Sequence, residues 1–178
     1  MNKLIILDRD GVINQDSDEY VKSVDEWLPI PGSANAIARL CKAGYQVAVA
    51  TNQSGLARGY FSLDDLNAMH EKMAGLVQAE GGNFAHIAYC PHGPDDHCDC
   101  RKPLPGLIHQ IEEALNVSAK GCYMVGDSLR DLQAGQAAGM KAALVLTGKG
   151  ERTKAKGEGL DSVEEFADLS AFVDWYLA

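Results

Sequence analysis

Asp8 and Asp10 in LDRDGVIN, one residue apart, and Asp127 in GDSLRD are the residue types a hard cation needs. Carboxylates gathered at one place repel one another unless a cation separates them, and an all-oxygen ligand set selects Mg²⁺ over softer metals. Thr51 of ATNQS offers a hydroxyl and Lys102 of RKP an ammonium, both suited to the oxygens of a phosphoryl group. A carboxylate beside such a group can attack phosphorus and form an aspartyl-phosphate. A second carboxylate two residues on lies on the same side of an extended backbone. It can protonate the leaving oxygen and then take a proton from the attacking water.

A softer ligand set lies upstream of Lys102. CPHGPDDHCDC places Cys90-x-His92 and Cys98-x-Cys100 with five residues between the pairs. Three thiolates and an imidazole suit tetrahedral Zn²⁺, and four protein ligands leave no position for water, so this zinc is expected to be structural. His97 is a spare donor, read as an exposed loop residue because the alternation favours His92. Cys100 abuts Arg101 and Lys102, so the metal is expected to brace the backbone that aims both cations. Cys41 and Cys122 read as core thiols. Five cysteines are an odd number in a chain without an export signal, which argues against a disulfide framework.

The elements that must position these groups follow from hydrophobic patterning. KLIILD (3–8), QVAVAT (46–51), AHIAYC (85–90), CYMVGD (122–127) and AALVLT (142–147) are too short for helices and apolar on both faces, as buried parallel strands are. Helical patterns over 33–44, 62–82, 105–116 and 128–139 lie between them. Ser62 three residues before Asp65 predicts a capping box, and Gly44 a helix C-terminus. Leu66, Met69, Met73 and Leu76 read as one stripe of the helix that Ser62 starts. The stretch TGKGERTKAKGEG (147–159) reads as a glycine- and lysine-rich loop before a last amphipathic segment.

The order βαβαβαβαβ predicts an α/β fold, a three-layer α/β/α Rossmann-like sandwich with a mainly parallel sheet. It is expected as one domain over 1–178, with no large cap domain and the zinc loop 90–100 within it. Ligands of such folds bind beyond the carboxyl ends of the strands. Four strands there deliver Asp8 and Asp10, the run Thr51–Ser54, Arg101 and Lys102, and Asp127 to one edge.

Bulk properties narrow the partners. With 178 residues, 46% hydrophobic and 23% charged, the chain reads as a soluble globular protein. No apolar run reaches the roughly 20 residues of a membrane span. The N-terminus lacks a secretory signal's long apolar region, so a cytoplasmic protein is expected. A net charge of −9 and the lack of a basic aromatic groove argue against a nucleic-acid partner. No heptad pattern is present, so a monomer is expected.

The four motifs LDRDGVIN, ATNQS, RKP and GDSLRD, in that order over residues 4 to about 147, resemble those of the haloacid dehalogenase superfamily of phosphatases. The resemblance implies Asp8 as nucleophile, Asp10 as general acid/base, and Thr51 and Lys102 on phosphoryl oxygens, with Arg101 counted beside Lys102 in the catalytic set. It implies Mg²⁺ held by Asp8, Asp127 and the Asp10 carbonyl. A zinc loop leading into CRKP, together with TNQSGLARGYFS, is similar to the superfamily branch that removes the 7-phosphate of a heptose 1,7-bisphosphate on the way to lipopolysaccharide core. The histidinol-phosphate phosphatases are the alternative branch. Within the heptose branch, substrate contacts are implied for Asp8, Arg9, Asp10, for Asp16, Ser17, Asp18 and Glu19, for Thr51, Asn52, Gln53 and Ser54, and for Arg101 and Lys102. A bisphosphate brings a second anion, for which Arg101 and Arg58 are candidate partners. Some members carry lysine where this chain has Ser128. A non-catalytic module whose zinc loop recognises a partner is the reading from a different class, and adjacent Asp8 and Asp10 argue against it.

Overall fold

The computed structural model describes residues 2–178. The five apolar runs form the strands β1 (Leu4–Leu7), β2 (Gln46–Asn52), β3 (His86–Cys90), β4 (Tyr123–Gly126) and β5 (Lys141–Val145). A sixth strand, β6 (Glu164–Phe166), was not anticipated from the sequence. The helices are α1 (Ser33–Lys42), α2 (Leu63–Ala79), α3 (Gly106–Leu115), α4 (Leu129–Ala137), α5 (Gly150–Lys156) and α6 (Leu169–Tyr176). Every strand pair is parallel and the order is β3-β2-β1-β4-β5-β6.

Alternation along the strands divides the core into two layers. Ile5, Leu7, Val47, Val49 and Val125 face α1, α2 and α6, where Ile37, Leu40, Met69, Met73 and Phe172 are buried. Leu4, Ile6, Ala48, Ala50 and Met124 face the other way, onto Leu107, Ile108 and Ile111 of α3 and Ala134 of α4. This is the three-layer α/β/α sandwich expected, with no large cap.

The chain runs outward from β1 through β2 to β3, then returns to lay β4 on the other side of β1. The order therefore reverses at the β1/β4 junction, the crevice where such sheets bind ligands. Asp8 follows β1 and Asp127 follows β4, so both acids stand at the switch point.

Local signals held where they were strong. The Ser62 hydroxyl accepts from Asp65 N at 3.1 Å, and Asp65 Oδ2 accepts from Ser62 N at 2.9 Å, closing the box that starts α2. Gly44 follows α1 with φ 91°, a left-handed value that glycine adopts without strain. Two departures stand out. Residues 147–159 are not all loop: Gly150–Lys156 is helical, although it carries no apolar stripe. Its packing is tertiary, through the Thr153 hydroxyl donating to the Asp127 carbonyl at 2.8 Å and Lys154 paired with Glu165. On α2, Val77 rather than Leu76 completes the buried stripe begun by Leu66, Met69 and Met73. Among the described residues no helix is long and apolar enough to cross a membrane.

Candidate active site

Three buried carboxylates, Asp8, Asp127 and Asp131, bring oxygens within 4.8 Å of one another at the switch point. The Lys102 ammonium enters from the α3 side and is 2% exposed. It reaches Asp8 Oδ1 at 3.0 Å, Asp131 Oδ1 at 2.6 Å and the Ala50 carbonyl at 2.8 Å. Burial acts to lower the lysine pKa, but Asp131 and Asp8 outweigh it and hold the group charged well above its usual range. Asp131 is 1% exposed. Its Oδ2 accepts from the backbone N–H of Asp127 and Ser128 and from the Ser128 hydroxyl. Burial would raise its pKa, yet Lys102 and these donors bring it below the usual carboxylate value.

Asp131 is thus neutralised by the lysine and saturated by donors, while Asp8 and Asp127 are not. Burial, then the charge of Asp131, raises Asp8 to about 7 despite Lys102. Burial, Asp8 and Asp131 raise Asp127 well above its ordinary value. Two buried carboxylates whose repulsion is left standing suit a hard divalent cation, which would restore both to their charged forms. The donor set fits Mg²⁺.

Asp10 also lines this pocket, but the chain does not reach it in extended form. The backbone turns at Arg9, with the amides of Val12 and Ile13 both hydrogen-bonded to the Arg9 carbonyl. Asp10 Oδ1 accepts from Asn14 Nδ2 at 2.8 Å, and Oδ2 accepts from Gln53 Nε2 at 3.1 Å. Gln53 Nε2 also donates to Thr51 Oγ1 at 2.9 Å, so Thr51 lies behind Gln53 and is almost fully buried. Burial would raise the Asp10 pKa, but Arg9, Asn14 and Gln53 together hold it below its usual value. Arg9, expected as a substrate contact, has a fully buried side chain directed onto Asp10.

Asn52 joins two of the motifs. Its Oδ1 accepts from Lys102 N at 3.0 Å and its Nδ2 donates to the Lys102 carbonyl at 3.2 Å, which fixes the lysine backbone against β2. Upstream, the thiols of Cys90, Cys98 and Cys100 cluster within 4.8 Å of one another. The Cys90 sulfur lies 3.7 Å from that of Cys98, close to the edge of a tetrahedron with Zn–S bonds of about 2.3 Å, and 2.7 Å from that of Cys100, which has to move outward to share the same tetrahedron. Burial raises Cys90 and Cys100; it acts the same way on Cys98, but backbone donors from Arg101 and Cys100 and the Cys90 thiol bring that thiol below its usual value. The donor set fits zinc. His92 is exposed and its ring stands outside the thiol cluster, though its carbonyl accepts from Arg101 Nη1 at 3.4 Å. His97 is exposed, as expected.

The pocket mouth is framed by the 15–21 loop and by α4 and α5. Asp16, Ser17 and Asp18 line it together with Asn52, Gln53, Ser54 and Arg101, whereas Glu19 and Arg58 do not. The Arg58 guanidinium instead lies 5.9 Å from the centre of the Tyr20 ring. Asp16 pairs with Lys149 at 2.9 Å, and Asp18 makes a two-bond contact with Arg152. Lys149 and Arg130 also line the pocket and were not singled out from the sequence. Lys149 follows β5 and was open to the same strand-end reasoning that found the other groups. Arg130, the second residue of α4, carried no such signal. Burial and then the charge of Arg130 lower the Arg101 pKa, with Arg58 acting the same way, so guanidinium groups crowd one side of the mouth.

A HAD-hydrolase-like family model matches residues 99–169. The chain is 59% identical over 169 residues to D-glycero-β-D-manno-heptose-1,7-bisphosphate 7-phosphatase of Pseudomonas putida, covering 95% of this chain and 96% of that one. It is 53% identical to the enzyme of the same name from Bordetella bronchiseptica, over 98% of both chains. The crystal structure of the B. bronchiseptica D,D-heptose 1,7-bisphosphate phosphatase complexed with magnesium and phosphate superposes with a TM-score of 0.95 at 53% identity, again over 98% of each. The D,D-heptose 1,7-bisphosphate phosphatase of Burkholderia thailandensis superposes at 0.78 with 44% identity, over 99% of each chain. By identity, coverage and superposition together, the chain belongs to the D-glycero-β-D-manno-heptose-1,7-bisphosphate 7-phosphatase family of HAD-like hydrolases.

Proposed function

We propose that this protein is a Mg²⁺-dependent phosphatase that removes the 7-phosphate of D-glycero-β-D-manno-heptose 1,7-bisphosphate through an aspartyl-phosphate on Asp8. The observation that carries the reading is the buried centre in which Lys102 bridges Asp8 and Asp131 beside a second uncompensated acid, Asp127. Both donors to Asp8, the Arg9 N–H and the Lys102 ammonium, engage Oδ1, so Oδ2 is the oxygen free to attack phosphorus. Lys102 and Asn52 meet the phosphoryl oxygens at the pocket wall, and Thr51, held through Gln53, supports that wall. Asp10 protonates the leaving sugar oxygen, then takes a proton from the water that opens the phosphoenzyme. When bound, Mg²⁺ neutralises the charge on Asp8, Asp127 and the phosphoryl group; Asp8, Asp127 and the Asp10 carbonyl are its proposed ligands.

The sugar side of the pocket is assigned by charge. Asp16, Ser17 and Asp18 offer acceptors for hydroxyls, and Arg101 with Arg130 offers guanidinium groups for the phosphate that is not cleaved. The crowding of like charge around Arg101 is what a bound dianion relieves. Cys90, Cys98 and Cys100, with His92 turning its exposed ring inward, hold a structural Zn²⁺ that fixes the loop leading to Arg101 and Lys102. The enzyme acts as a cytoplasmic monomer on a small-molecule substrate. Histidinol phosphate is the less favoured substrate, since the relatives named above act on the heptose bisphosphate.

The test is phosphate release with Mg²⁺ from the β and α anomers of the heptose bisphosphate and from histidinol phosphate. The β anomer should be turned over fastest, and Asp8→Asn should abolish release while remaining folded. Faster turnover of histidinol phosphate would move the enzyme to another substrate. An active Asp8→Asn would remove the covalent route.

A further inference from the structure

Behind Asp10 lies a row of buried polar groups that the chemistry above leaves without a role. Arg9 is fully buried between the two aspartates of its motif. Its Nε and Nη2 both donate to Asp10 Oδ1, at 3.1 and 2.8 Å. Its Nη1 stands 3.2 Å from Nε2 of His70, a residue of α2 far from the motifs in sequence. A guanidinium can only donate, so the imidazole must accept at Nε2 and carry its proton on Nδ1. The setting enforces that state: burial, then the charge of Arg9, lowers His70 to about 4.

The geometry suits a positioning device. Asp10 must offer one carboxyl to the leaving oxygen and then to a water, and free rotation of that carboxyl would scatter both encounters. Asn14 and Gln53 each hold one oxygen of that carboxylate, and the two N–H groups of Arg9 add to the hold on Oδ1 only as firmly as the guanidinium is itself fixed. Arginine has a long stem with many rotamers, and the third contact that fixes it is His70. We propose that His70 positions the acid/base carboxylate of Asp10 by locking Arg9 from behind. The inference rests on the phosphatase reading for its consequence, but the contact itself is independent of any substrate.

The experiment compares His70→Ala and His70→Gln on the heptose bisphosphate, with thermal unfolding measured alongside. Loss of the acceptor in His70→Ala should lower kcat by roughly tenfold, the size typical of losing such a supporting contact, with KM changed less than about twofold. His70→Gln supplies a carbonyl acceptor near the same place and should recover most of kcat. A folded His70→Ala with wild-type kcat overturns the proposal, as do equal losses in both variants or a KM that rises as kcat falls.

Nitrogen NMR of the wild-type ring at neutral pH tests the contact without any variant or substrate. The expected signature is a neutral ring with bare Nε2; a proton on Nε2 overturns the proposal. Failure of the wild type to release phosphate would remove the phosphatase reading, and the ring signature would still decide the contact.

Discussion

Lys102 and Asp131 form a buried ion pair at 2.6 Å, and only one of them was legible as functional. Lys102 sits in a short motif with Arg101 and Pro103, whereas Asp131 looks from the sequence like any acid in the first turn of a helix. Its role arises because α4 starts directly after β4, which points Asp131 back beneath Asp127. The contact of Arg9 with His70 was opaque for the same reason: sixty-one positions separate them, and only the fold makes them neighbours. Arg130 is the informative residue for specificity, because it is exposed, lines the pocket and crowds Arg101. Arg130→Ala should raise KM for the bisphosphate by roughly tenfold, as expected for a charge-assisted contact of about 1.5 kcal/mol. KM for a heptose monophosphate cleaved at the same 7-position should move far less. Equal changes for both substrates would place Arg130 on the cleaved phosphate or outside recognition altogether.

At the scale of elements, strands and long helices were readable because burial on both faces and a 3.6-residue stripe are properties of local sequence. Helix α5 and strand β6 were not. Gly150–Lys156 is polar on all sides and β6 reads EEF, so neither displays a period; both are held by what they pack against. The thiol loop lies between these cases, since its ligand spacing and its adjacency to Arg101 and Lys102 were visible, while the contacts that tie those two residues down are spatial. Arg101 reaches back to the His92 carbonyl, and Lys102 is clamped by Asn52, so loosening the loop should disturb both cations together. Cys98→Ala is expected to lose zinc and to lower kcat/KM by an order of magnitude or more, without a comparable fall in the midpoint of global unfolding. Metal content by atomic absorption verifies the loss, and full activity in a zinc-free variant would show that the loop does not brace Arg101 and Lys102.

For the whole molecule, a net charge of −9 describes the surface poorly as a guide to the site, where the decisive charges are buried and few. They leave a mark on stability that separates two opposing groups. Between about pH 4 and 7 the folded chain, with no metal bound, holds a proton on Asp8 that the unfolded chain has released, and the raised Asp127 acts in the same direction. Rising pH through that window therefore erodes stability, by an amount on the order of a few kcal/mol. His70 acts in the other direction. Its folded pKa of about 4 lies below the usual 6.5, so the unfolded chain binds the extra proton and stability rises with pH between those values. The two slopes oppose each other below pH 6.5 and conceal one another in a single titration. Mg²⁺ separates them, because it acts on the carboxylates and not on His70. The gain in unfolding temperature on adding Mg²⁺ should grow as pH rises from 5 to 7.5, since protons compete with the cation for Asp8 and Asp127 at the acid end. Asp127→Asn should nearly abolish that gain and leave the acid-side fall due to His70 in place. A Mg²⁺ gain that does not change with pH would mean that these two carboxylates are not where the cation binds.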